Sequence, residues 1–102
     1  MRMSSPEDMA LRNVYNEVCS ATRKECQDLG ARFVEAKCTK KGTTAGRVSL
    51  TYEVTIDVTG LRRQTAQILK EAIDAELQNV IMDEGFWPEK IIVNSIGRTK
   101  LF

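Results

Sequence analysis

Val48-Ser49-Leu50-Thr51-Tyr52-Glu53-Val54-Thr55-Ile56-Asp57-Val58-Thr59 alternates apolar and polar residues without a break. Successive side chains on a strand point to opposite faces, so this run is a half-buried strand. Val48, Leu50, Tyr52, Val54, Ile56 and Val58 form its dry side. A sheet with one dry and one wet face needs helices over the dry one.

Those helices flank the strand. Upstream, Ser5-Pro6-Glu7-Asp8 is a helix opening, with a capping hydroxyl, a proline in the first turn and two acids at the positive end of the dipole. Leu11, Val14, Tyr15, Val18, Thr22, Cys26 and Leu29 follow at helical spacing, and Gly30 ends the run. Phe33 to Lys41 reads as a strand with Val34, Ala36 and Cys38 on one face. The turn-rich Lys40–Gly46 segment joins it to Val48–Thr59 as a hairpin. Downstream, Thr59-Gly60 is expected to open a second helix. Its apolar stripe is Leu61, Thr65, Ile68, Leu69, Ala72, Ile73, Leu77, Val80 and Ile81, and Gly85 closes it. Lys90–Ile96 makes a third strand, and Gly97–Phe102 either turns back as a short fourth strand or hangs as a tail.

The expected fold is α+β in the order α-β-β-α-β, one domain over residues 1–102. A small mixed three-stranded sheet carries two long helices on one face. The crossover through the second helix places strand three parallel to strand two; we expect strand three beside strand one. This order resembles the small ring-building modules of secretion machinery and, more loosely, the type II KH fold. The likeness is topological, and no functional residue is carried across.

Bulk properties narrow the function classes. With 28% charged and 42% hydrophobic residues, the chain is globular rather than disordered. A net charge of +1 gives no global field toward nucleic acid or membrane. Cys19, Cys26 and Cys38 lack CxxC spacing and there is no histidine, so we expect no metal, no cofactor and reduced thiols. Met1–Ser5 has no apolar signal region and no run is of membrane length, which leads us to expect a cytoplasmic protein.

Four places invite a function. Thr59-Gly60-Leu61-Arg62-Arg63 sets two arginines at a helix N-terminus, where they oppose the dipole. The topology gathers Arg23, Lys24, Arg32, Arg62, Arg63, Arg98 and Lys100 at that pole. Arg62, Arg63, Arg98, Lys100 and Arg32 are therefore the candidates for anion or nucleic-acid binding. Lys37, Lys40, Lys41 and Arg47 surround the hairpin loop, at the opposite pole near Asp83 and Glu84, where lysines commonly defend an edge. Glu35, Lys37, Thr39, Ser49, Thr51, Glu53, Thr55 and Asp57 are expected on the wet sheet face. With only Phe33 left to face outward there, base stacking of the RRM kind has no platform. Phe86 and Trp87 follow a helix-ending glycine, as a partner anchor or as a cap folded back onto the helix.

No catalytic set accompanies these. A reactive thiol needs a base, paired carboxylates need a pocket, and there is no phosphate loop. The expectation is a non-enzymatic protein-interaction module: an adaptor, assembly subunit or small inhibitor of the kind phages and plasmids encode. Its partner is another protein, itself as a homo-oligomer, or both, with no membrane. The alternative is a nucleic-acid-binding domain using the Arg62/Arg63 pole.

Overall fold

The computed structural model describes residues 5–101; Met1–Ser4 of the expected signal-free opening and Phe102 of the expected tail lie outside it. Helix α1 spans Pro6–Leu29. Ser5 caps it, its hydroxyl accepting from the Asp8 amide at 3.1 Å. It ends on Gly30 at φ 82, where the Ala31 amide reaches back to the Cys26 carbonyl at 2.8 Å in a Schellman closure. Val14, Val18, Cys19, Thr22 and Cys26 form its buried stripe, while Tyr15 and Leu29 stay partly exposed. Thr22 hides its hydroxyl by donating to the Val18 carbonyl at 2.7 Å.

Strands β1 (Arg32–Thr44), β2 (Arg47–Asp57) and β3 (Trp87–Ile96) form one sheet in the order β1-β2-β3. The β1–β2 pairing is antiparallel and the β2–β3 pairing parallel, giving the expected mixed sheet. The position of β3 differs from the expectation, however: it lies beside β2, not β1. Helix α1 packs on β1 and helix α2 (Arg63–Asp83) packs on β3, so the crossover moves the chain by one strand spacing. A third strand beyond β1 would have to carry α2 past the flank that α1 occupies.

Strand β1 runs longer than its periodicity suggested and reaches the hairpin turn itself. A register irregularity between Phe33 and Glu35 pairs Phe33 with Ile56 and Glu35 with Thr55. The extra residue reverses two expectations. Phe33 is half-buried beside the core rather than outward, and Val34 is 43% exposed instead of sharing the dry face with Ala36. Cys38 keeps the expected parity opposite Tyr52 but is exposed, because β1 is an edge that the helices cover only in part.

The start of α2 is also later than expected. Thr59-Gly60 does not open it; Arg62 is the N-cap residue, extended at φ −66 and ψ 146, with no side-chain cap. Residues 58–61 form a tight turn, the Leu61 amide donating to the Val58 carbonyl at 3.0 Å, and the chain that follows β3 braces it. The Val58 amide donates to Ile96, Gly60 to Arg98, and Lys100 back to Leu61. Helix α2 buries Ala66, Leu69, Ile73, Leu77 and Ile81, whereas Ile68, expected in the stripe, points away from the core and is 54% exposed. The core lies where these meet Leu50, Tyr52, Val54, Ile56 and Val58, all at most 1% exposed. No helix among the described residues is long and apolar enough to cross a membrane.

The β1–β2 hairpin turns on Ala45 and Gly46 alone, at φ 54 and φ 77. Positive φ at both central residues is the geometry that a tight hairpin asks for, but alanine occupies the first position against the steric preference of its Cβ. Replacing Ala45 with asparagine is expected to stabilise the fold by about 1 kcal/mol, raising the midpoint of thermal unfolding by about 4–8 °C.

Candidate functional site

The end of the molecule that holds the α2 N-terminus gathers the cations foreseen there. Arg62 and Lys100 form a parallel β-bridge, and the Arg63 amide donates to the Lys100 carbonyl at 2.9 Å. Arg98 lies one step back, its carbonyl accepting from Gly60 at 3.1 Å. Arg62, Arg63, Arg98 and Lys100 thus project from two adjoining chain segments. Among the described residues none of the four has a carboxylate within ion-pair distance. Arg32, at the start of β1, is at the same pole but differs: it pairs with Asp57 at 3.2 Å. Arg23 lies 5.0 Å over the Phe33 ring, along a shallow groove with Gln27, Ala31 and Arg32.

Asp57 organises this pole. Its Oδ1 accepts from the Thr59 hydroxyl at 2.6 Å and the Thr59 amide at 2.9 Å, while Oδ2 faces Arg32. The Thr59 bonds first, then Arg32, hold its carboxyl below the ordinary aspartate range. Gly97, at φ 92, passes so close that a Cβ there would run into Thr59 Oγ1 and Asp57 Oδ1. Only glycine lets the chain turn from β3 onto the start of α2.

The hairpin cations are dispersed at the other pole. Arg47 donates to the Met82 carbonyl at 3.2 Å, closing the C-terminal end of α2. Lys40 pairs with Glu7 at 3.1 Å, and Lys37 faces Glu35 at 3.8 Å. Phe86 and Trp87 part company. Phe86 is 5% exposed; its amide reaches the Ile81 carbonyl, folding the residue back into the core. Burial removes it as a surface anchor. Trp87 opens β3 opposite Ser49, half-buried.

A three-stranded sheet leaves two open edges, which the sequence alone does not assign; in the structure one of them is β3. From Lys90 to Ile96 it pairs with Thr51–Asp57 without irregularity, and among the described residues the sheet ends there. Ile96 directs its carbonyl toward β2, accepting from Val58. By alternation Asn94, Ile92 and Lys90 do likewise, which leaves the amides and carbonyls of Ile91, Val93 and Ser95 on the open side. Ile91 and Val93, on the helix side, are only half-buried and floor a groove whose wall is Gln67, Lys70, Glu71 and Asp74 of α2. The signal was present in Ile91-Ile92-Val93, which is too apolar for a strand that is solvated along its length.

No family model matches the chain, nor does any curated protein or solved structure.

Between the poles, buried ionisable groups cluster without a ligand set; no three His, Cys, Asp or Glu side chains among the described residues come together for a metal. Tyr52 is fully buried and its hydroxyl has no hydrogen-bond partner among the described residues. Burial first, then the neighbouring Cys38 and Cys19 thiols and Tyr15, pushes its ionisation above the ordinary phenol range. Burial, with Glu25 adding to it, pushes the Cys26 thiol up to about 11. A group whose pKa is raised by folding favours the native state at low pH and loses that contribution as pH climbs through the native value. Stability is therefore expected to hold below the unfolded thiol pKa of about 8.5. It should decline toward a pH of about 11. Urea melts across that range check this, and Cys26→Ala flattens the decline.

Proposed function

We propose that this protein is an interaction module that works by adding the free edge of β3 to a strand of another polypeptide. One observation carries it: seven successive residues, Lys90–Ile96, present an uninterrupted edge with apolar side chains on both faces. An edge of that kind is a template for strand addition unless it is defended. Strand β1 is defended, with two register irregularities and Lys37, Lys40 and Lys41 along it. On β3 the devices stop early, at Pro88 and Lys90. A module of this type suits an adaptor, an assembly subunit or a small inhibitor, because its affinity comes from main-chain hydrogen bonds and its specificity from alternate side chains.

Amide hydrogen exchange on the full chain tests this role, alone at rising concentration and in extract of the native host. The outward amides of Ile91, Val93 and Ser95 should slow by about ten-fold or more, the equivalent of about 1.4 kcal/mol. Val93→Pro removes one outward donor while leaving the β2 pairing intact, so it should release Ile91 and Ser95 again. Exchange at those three amides as fast as in an unpaired chain under every condition overturns the proposal.

The bridge between Arg62 and Lys100 favours a second reading, nucleic-acid binding at the basic pole. Four unpaired cations on a duplex would give a slope of about −3.6 in log affinity against log salt. Arg62→Glu/Arg63→Glu should abolish binding of a mixed-sequence oligonucleotide. Affinity that is unchanged in that variant removes the pole from consideration.

A further inference from the structure

Presupposing the edge-pairing role of β3, we propose that its partner is a second copy of this chain, joined antiparallel with the two-fold axis at Ile92. An axis on any residue of the strand sets outward main-chain groups opposite one another, so side chains decide: at Ile91 it would put Ile92 opposite Lys90, and at Asn94 Val93 opposite Ser95, which leaves two placements to compare. With the axis at Val93, Val93 meets itself, but Ile91 falls opposite serine, Ile92 opposite Asn94 and Lys90 opposite Ile96. With the axis at Ile92, Ile91 of each copy faces Val93 of the other in a doubly hydrogen-bonded pair. Ile92 meets itself on the other face, and Lys90 faces Asn94. Only the second placement matches apolar residues with apolar and polar with polar.

Helix α2 suits the same axis. The wall of the groove over Ile91 and Val93 consists of Gln67, Lys70, Glu71 and Asp74, whose midpoint along the helix falls between Lys70 and Glu71. A two-fold there sets the α2 helices antiparallel across the groove, Lys70 of each copy opposite Glu71 of the other and Gln67 opposite Asp74. Both pairs are complementary and each occurs twice. On the wet face Asn94 donates to Glu53 at 3.1 Å, so Lys90 of one copy is directed toward a carboxylate held in place on the second. The half-buried Ile91 and Val93 are then covered, and the product is a continuous six-stranded sheet whose outer edges are the two defended β1 strands. An isologous contact closes on itself, so association stops at two.

Light scattering across a dilution series tests the pairing, and the expected mass is twice 11.5 kDa. Lys70→Glu and Glu71→Lys each set like charges together at two symmetric contacts, and each should weaken dimerisation by about ten-fold. The combined exchange restores opposite charges and should return the affinity to within about three-fold of the unaltered chain. The register is read by cysteine substitution on a Cys38→Ser background in a glutathione redox buffer, where oxidised glutathione takes up the two electrons and protons that the thiols lose. Ile92→Cys should link to its own copy and Val93→Cys should not. Cross-linking at Val93→Cys instead, or two weak single variants with no recovery in the double, overturns this arrangement. A monomer at every concentration also overturns the second copy as partner. If the β3 amides are nevertheless protected in extract, edge pairing survives with a different partner; if they exchange freely there as well, both fail.

Discussion

Burial of β2 is the constraint on which the rest of the structure depends. Leu50, Tyr52, Val54 and Ile56 reach the core from this strand and Val58 from the residue just beyond its end, each at most 1% exposed. Burying side chains of this size contributes about 1.5–3 kcal/mol each. Such burial requires helix on one face and neighbouring strand on both sides. Antiparallel β1 supplies one side at the cost of a two-residue turn, and parallel β3 supplies the other at the cost of a crossover helix. Helix α2 follows from that demand, because a parallel neighbour cannot be reached by a hairpin. The same helix brings Leu69, Ile73, Leu77 and Ile81 down on the strand that it connects.

Much of this was legible in the sequence because period-two and period-3.6 patterns are imposed by burial itself. The unbroken alternation of Val48–Thr59 marked the best-covered strand, and Ser5-Pro6 and Gly30 marked both ends of α1. What pattern does not carry is a contact made by main chain alone. The 58–62 segment is tied to residues 96–100 through carbonyls and amides, so Thr59-Gly60 reads as a helix opening when it is a separate turn ahead of the helix. The bulge that turns Phe33 inward and Val34 outward is likewise a backbone event, invisible in a run of apolar residues on an edge. The strand order was misjudged for a related reason. Nothing in the composition of β3 says which side of β2 it takes; that is decided by where α1 already lies.

For the site, legibility divided by mechanism. Charge clustering at the pole followed from topology, and its principal members are brought together by the Arg62–Lys100 bridge. Arg32 was foreseen there too, but its charge is engaged by Asp57, its opposite number in the β1–β2 register. Phe86 and Trp87 were adjacent in sequence and are separated by function of geometry, since the Schellman closure turns one into the core and leaves the other at the surface.

The two edges of the sheet differ in a way that stability alone does not require. Each is one strand from β2, and either one, protected, would leave the core as it is. Strand β1 nevertheless carries two irregularities and three lysines spread along it, while β3 has one irregularity near its start and then the apolar Ile91-Ile92-Val93 beneath a wall of mixed charge. The inward-facing pair, Ile91 and Val93, continues the dry face past the point where α2 stops covering it. Water there costs free energy without any return inside the monomer. An extra strand would cover that surface without altering a single core contact. In the proposed pairing that asymmetry becomes a property of the assembly, with the monomer as one half of its sheet.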